Sequence, residues 1–447
     1  MHADIATDSL SPAGIEADPY RRLVWLQGRV LLESDLNRQT SLLLRGLQRL
    51  TRDLVGPYGG PAGDCGFRVD SEFGILAAAK NIVANADPEA IRLSEAIPKS
   101  SKKKDWRVWP GRYYVQGIEV ECEAAREVAS DVKDWDTLLG EGDTLVFLDA
   151  WEAYVHPLAE PGLLDPALRG ADTTGRTRVR WRIRAMKSPV TSPANKDAIY
   201  EAWSNVLSDP SLAGTSSRLK WAGEDAPYTG QNHLYRIEVH EALTAGGAKL
   251  KWSRSNGSDI YRVASFLDGR VQLETLGQDV RFALRGGDWV ELIYPAGSEE
   301  EGAARPLYEI AGEPDPDDQS VKLKGLTLND PPDGTYLLRR WDQGISNRED
   351  GLITIEDPTQ PFTLEKGLTF AFAAGQASPA GQGTFRVGDY WLLPTSTDLG
   401  IDPQVLAQLD DDAGLQCNGV NHFHAPLAYI DKTARIDLRR TIKPLAT

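Results

Sequence analysis

Short runs of β-branched and aromatic residues, each closed by a glycine- or proline-containing turn, recur along most of this 447-residue chain. That rhythm constrains the fold more than any other feature. Side chains that alternate every two residues suit a pleated sheet, and close turns leave no room for long helices between the runs. Tyr113–Glu121, Thr144–Val155 and Arg178–Ala185 are the first clear runs. In the last of these, Val179, Trp181 and Ile183 alternate with arginines, the pattern of a half-buried strand. Leu234–His240, Lys249–Trp252, Tyr261–Phe266, Val271–Leu276 and Trp289–Tyr294 form a second block. A third runs from Leu307 through Leu338, Leu352–Ile355 and Leu368–Phe372 to Tyr390–Leu393, and Ala425–Ile430 adds a final strand. The 41 glycines and 27 prolines supply the turns. Such spacing predicts a mainly β protein of several small antiparallel sandwich or barrel domains, not a doubly wound sheet.

One long helix is expected ahead of the sheets. Leu36, Leu43, Leu47, Leu50 and Leu54 recur at steps of 7, 4, 3 and 4, a heptad-like seam. Ser34 or Asp35 is the expected cap, because a short polar side chain accepts the free N–H groups of the first turn. Gly56-Pro57 ends the helix, since proline has no N–H and restricts the residue before it. The seam fits two arrangements, docking on the chain's own body or self-association in an oligomer. Gly46 weakens the helix by about 1 kcal/mol relative to alanine, which a closely approaching neighbour would explain.

The expected organisation is a flexible arm over 1–18 and then, over 19–66, a strand (Leu23–Val30), the helix and a Gly/Pro-rich linker. A β-rich domain with a short helix near 198–207 follows over 67–230, then β-rich domains over 231–300 and 301–447. Glu160–Gly175 reads as a long loop, and Pro295–Arg305 as an acidic boundary. Gly56–Gly66 has five glycines, but no Lys-Ser/Thr pair follows, so it is no phosphate loop.

A net charge of −16 argues against nucleic acid as a partner, because phosphate binding needs a basic footprint. The basic run Lys102-Lys103-Lys104 sits in a polar stretch and reads as a solvated loop. Cys65, Cys122 and Cys417 are odd in number and far apart, with no CxxC pair, so neither a disulfide framework nor a zinc motif is signalled. The amino terminus is acidic and unlike a secretory signal, and no 18-residue apolar run is present. Synthesis in the cytoplasm without membrane insertion is expected. A role outside the cell would then require release by lysis or within a particle.

No catalytic, cofactor or metal site is predicted, and the chain does not read as an enzyme. Asp149 and Glu152 form the sharpest carboxylate pair, but three residues apart on a strand they face opposite ways and suit ion pairing with nearby arginines. His422 and His424, two apart on a strand, share one face, and Cys417 with Asp411 or Asp412 lies close in sequence. Ligand spacing characteristic of a metal is missing, so ordinary hydrogen-bonded histidines are expected. Lys251–Ser258 lacks a nucleophile elbow and reads as a strand ending in an Asn-Gly turn. Trp341 with Asp342, and Trp391 with Asp389, are candidate sugar-stacking pairs, with burial in a β core as the commoner use of tryptophan.

Several strings together resemble an uncharacterised bacterial family. They include Leu26-Gln27-Gly28-Arg29-Val30 with Asp35-Leu36-Asn37, then Gly56–Pro61, Pro110–Val115 and Leu148-Asp149-Ala150-Trp151-Glu152. Glu160-Pro161-Gly162, Asn232–Val239, Lys251–Ser258, Leu338–Gln343 and Gly388–Pro394 continue the series in order, across roughly residues 19 to 430. The opening also looks like the attachment domains of phage tail fibres. Members of the resembled family occur in gene clusters for phage-tail-like contractile injection systems. The resemblance therefore implies a structural or attachment subunit of such a particle, in its baseplate, fibre, cage or cap region, with other particle subunits and further copies of itself as partners. A carbohydrate-binding or carbohydrate-cleaving surface protein of the tailspike kind is the alternative expectation.

Overall fold

The computed structural model describes residues 18–71 and 106–443, except 172, 192–194, 208–211, 213, 224–230, 244–246, 268, 278–282, 295–303, 328–332, 344–349, 366, 374–383 and 432–434. His2, most of the expected arm, the Lys102–Lys104 run and most of the acidic loop fall outside those residues.

The described fold is mainly β, in six sheets. Three hydrophobic cores organise it, and they are nested. The outermost is built on an antiparallel sheet ordered Arg435–Asp437, His422–Ile430, Thr144–Val155 and Arg176–Lys187. It is joined by a sheet of Thr441–Ile442, Tyr58–Pro61, Gly111–Val115 and Ile118–Cys122, and by a small one of Val69–Ser71, Trp106–Val108 and Arg126–Glu127. Phe67, Tyr113, Leu145, Leu148, Ile183 and Tyr429 are buried in this core. The described residues up to 212 and those from 422 to 442 thus bracket a second core, in which Ala248–Ser253, His233–Ala242 and Tyr390–Ser396 are central strands. The second core in turn brackets a third, a six-stranded sheet holding Trp289–Ile293 beside Leu337–Trp341.

Nesting corrects the sequential domains expected from sequence. A boundary at 300–301 would cut the third core, since Trp289–Ile293 pairs with both Leu307–Glu309 and Leu337–Trp341. Residues 422–442 belong to the first core, because Thr144–Val155 needs a hydrogen-bonded neighbour on each side and finds one in His422–Ile430.

Several local readings change as well. Leu23–Val30 is not a strand; it has no strand partner among the described residues and turns at Gln27-Gly28. Tyr113–Glu121 is two strands, Gly111–Val115 and Ile118–Cys122, because Gln116 and Gly117 adopt φ of 50° and 86°, a tight hairpin turn. The expected Gly/Pro linker contains the strand Tyr58–Pro61, and Tyr58, Cys65 and Phe67 enter the first core. Four α-helices occur among the described residues: Glu33–Val55, Trp135–Glu141, Lys196–Leu207 and Pro403–Asp410. The first is the longest, at 23 residues. No described helix is long and apolar enough to cross a membrane.

Candidate functional site

Helix Glu33–Val55 begins at Leu32 without a side-chain cap, so Ser34 and Asp35 lie inside its first turn and not at its cap. Glu33 and Asp35 there favour the positive end of the helix dipole. Gly56 closes the other end at φ 84°, its N–H donating to Arg52 O. Asp18 ties the preceding segment down. Its carboxylate accepts from Arg38 Nε at 3.0 Å and Nη2 at 2.7 Å, while Arg45 donates to the Asp18 and Tyr20 carbonyls, both at 2.8 Å. The arm expected to be flexible through residue 18 is therefore anchored at its end.

The helix meets the body at the Gln116-Gly117 hairpin, where a Cβ on Gly117 would sit 2.2 Å from Gln48 O. Leu42 is its one buried residue. The leucine seam faces solvent, with Leu36, Leu43, Leu47, Leu50 and Leu54 between 52% and 65% exposed. Thr40 completes the alternation of steps of 4 and 3 from Leu36 to Leu54, its hydroxyl donating to Leu36 O. Val24, Leu26, Val30, Leu31 and Leu32 extend the apolar surface. Gly46 has no described atom within 4 Å of the place a Cβ would take, so nothing among the described residues accounts for it.

A second cluster sits on the first core. Asp149 stands opposite His424 in one neighbouring strand and opposite Arg182 in the other. Asp149 is fully buried; its Oδ1 lies 2.6 Å from His422 Nδ1 and 3.3 Å from His424 Nε2, and Arg182 Nε donates to its Oδ2 at 2.9 Å. Burial alone raises the carboxyl's proton affinity, but interaction with His422 and His424 outweighs that and holds Asp149 well below the usual carboxylate range. Phe147 packs edge-on to His424, and Trp151 lies against His422. His422, Arg182, Arg184 and Arg386 border a cleft of about 480 Å³. The expected ion pairing of Asp149 is present, through Arg182.

The other metal candidates do not join this cluster. Cys417 points to Thr215 O, Asp411 accepts from Ala413 N, and exposed Asp412 meets Lys220. Sequence reading placed the two histidines on one face but missed Asp149 as their partner. The signal was an acid set within the apolar stretch 145–151, whose charge, once buried, required a neighbour.

The sugar-stacking candidates are committed to the interior. Trp341 is buried and donates to Glu291 Oε2 at 3.0 Å, with the Lys251 ammonium over its ring. Trp391 is buried against Phe372 and donates to Leu415 O. Asp342 accepts from Arg254, and buried Asp389 from Arg386 and Thr215 N. Neither tryptophan presents a ring face to solvent.

The chain belongs to the family of unknown function DUF6519, whose model matches residues 13–221 and 221–401. No curated protein and no solved structure matches it.

Proposed function

We propose that the chain is a structural subunit that assembles through protein–protein contacts, with the leucine face of helix Glu33–Val55 as its joint to further copies of itself. The observation that carries this reading is that face, a regular apolar seam left open to water on a helix whose opposite side is tied to the body. Monomeric proteins rarely leave contiguous apolar patches of this kind exposed, and patches that are exposed mark interaction sites. Half-exposed leucines still have about 1 kcal/mol each to gain on full burial, so two seams together contribute about 10 kcal/mol, comparable with the cost of bringing two chains together. The sequence resemblance supports placing such a subunit in a phage-tail-like contractile particle, where small β domains joined by a docking helix would serve a baseplate, fibre, cage or cap. The carbohydrate alternative is weakened by the burial of Trp341 and Trp391.

Native mass spectrometry of the full chain tests the proposal. Oligomers are expected, and Leu43→Asp with Leu47→Asp should reduce them to the 49.1 kDa monomer without loss of β-sheet circular dichroism. A strict monomer at all concentrations, unchanged by the double substitution, removes the joint.

A further inference from the structure

We propose that Asp149, His422 and His424 form a binding site for one divalent transition-metal ion of the zinc class. This site is independent of the helical joint. Among the described residues, these three are the one group of His, Cys, Asp or Glu whose ligand atoms converge, all within 4.8 Å of one another. Two imidazoles and a carboxylate are a donor set that zinc and its neighbours accept.

Three features separate the cluster from an ordinary buried ion pair. His424 is 8% exposed, and its Nε2 makes no aligned hydrogen bond although it points at the cluster, 3.3 Å from Asp149 Oδ1. A buried nitrogen left so has lost its water without a full replacement, a deficit that a metal bond would remove. Two ligands on a tetrahedral ion, each about 2.0–2.1 Å from it, stand about 3.3 Å apart, the spacing His424 and Asp149 already have. The 2.6 Å contact between His422 Nδ1 and Asp149 Oδ1 must open, by about 0.7 Å. Finally, Arg182 holds Asp149 Oδ2, the oxygen turned away from the histidines, and so aims Oδ1 at the metal position as outer partners of metal ligands do.

Strand pairing supplies the geometry. Asp149 and His424 are direct cross-strand partners, and His422 lies two residues back on the same face. Three protein ligands leave one position of a tetrahedral ion vacant. His422 borders the cleft that Arg182, Arg184 and Arg386 also line, so water would complete the shell from that side. Magnesium and calcium, which favour all-oxygen shells, should not compete.

The full chain, stripped with a chelator, is titrated with zinc chloride by calorimetry and with cobalt chloride by visible absorption. One equivalent should bind, cobalt should give the intense d–d bands of tetrahedral nitrogen and oxygen coordination, and zinc should raise the unfolding temperature. His424→Gln and Asp149→Asn should each weaken binding at least 100-fold, whereas His240→Gln, a buried histidine elsewhere, should leave it unchanged. Should either cluster variant fail to fold, the wild-type cobalt spectrum and stoichiometry decide alone. Absence of saturable binding by the wild-type chain, or equal binding by folded His424→Gln, overturns the proposal and leaves a buried histidine–aspartate hydrogen bond.

Discussion

Replacing Glu291 by glutamine should loosen the joint between the second and third cores. Glu291 lies on a strand of the third core and is buried, with Oε1 2.8 Å from Lys251 Nζ of the second core and Oε2 accepting from Trp341 Nε1 at 3.0 Å. Lys251 also reaches Glu238 Oε1 at 3.0 Å, and Glu238 accepts from Arg236 Nε at 2.6 Å. Burial opposes ionisation of Glu291, but the charges of Lys251, Arg305 and Arg339 win and bring its pKa from 4.5 down to about 2. That depression is worth about 3 kcal/mol. Because the folded-state pKa lies below the unfolded one, the contribution is complete above the unfolded value. It is lost as pH falls through the window between the two. Glu291→Gln keeps the shape and the acceptor for Trp341 but leaves Lys251 with Glu238 alone. At neutral pH the variant should be about 3 kcal/mol less stable in urea unfolding followed by circular dichroism, and the gap should close as pH falls from about 5 to 2. A gap below about 0.5 kcal/mol, or one that does not change with pH, would refute the reasoning.

Gly117→Ala should destabilise the chain by more than about 1 kcal/mol, since it places a Cβ against Gln48 O at a positive φ; thermal unfolding and exchange of the helix amides check it. Trp391→Ala should cost about 3–5 kcal/mol in unfolding free energy, as removal of a buried aromatic packed on Phe372. Glycan binding lost from a Trp391→Ala variant that keeps full stability would revive the carbohydrate reading.

Local structure was legible in the sequence where one element satisfies itself. Thr144–Val155 is a strand at the bounds its composition set, and helix Glu33–Val55 ends at Gly56 because proline follows. Legibility failed wherever a distant partner decides. Leu23–Val30 has strand composition but no neighbour among the described residues to pair with, whereas the glycine-rich Tyr58–Pro61 becomes a strand because Gly111–Val115 and Thr441–Ile442 flank it. The nested cores are invisible for the same reason, since loop length and composition say nothing about which strand returns to which sheet. The histidine cluster shows this most sharply. Asp149 and His422 are 273 residues apart, and only the pairing of their strands brings them to hydrogen-bonding distance. Burial of Trp341 and Trp391 follows from their strands being central, which side-chain chemistry alone does not reveal.

Disulfide trapping across the helix tests the proposed joint most directly. Leu47→Cys places a thiol on the exposed seam, and Arg52→Cys places one on the same helix outside the seam. Under mild oxidation Leu47→Cys should give covalent dimers of the full chain and Arg52→Cys few or none. Equal trapping at both positions, or none at Leu47→Cys under conditions that oxidise an exposed thiol, would contradict a joint made by the leucine face.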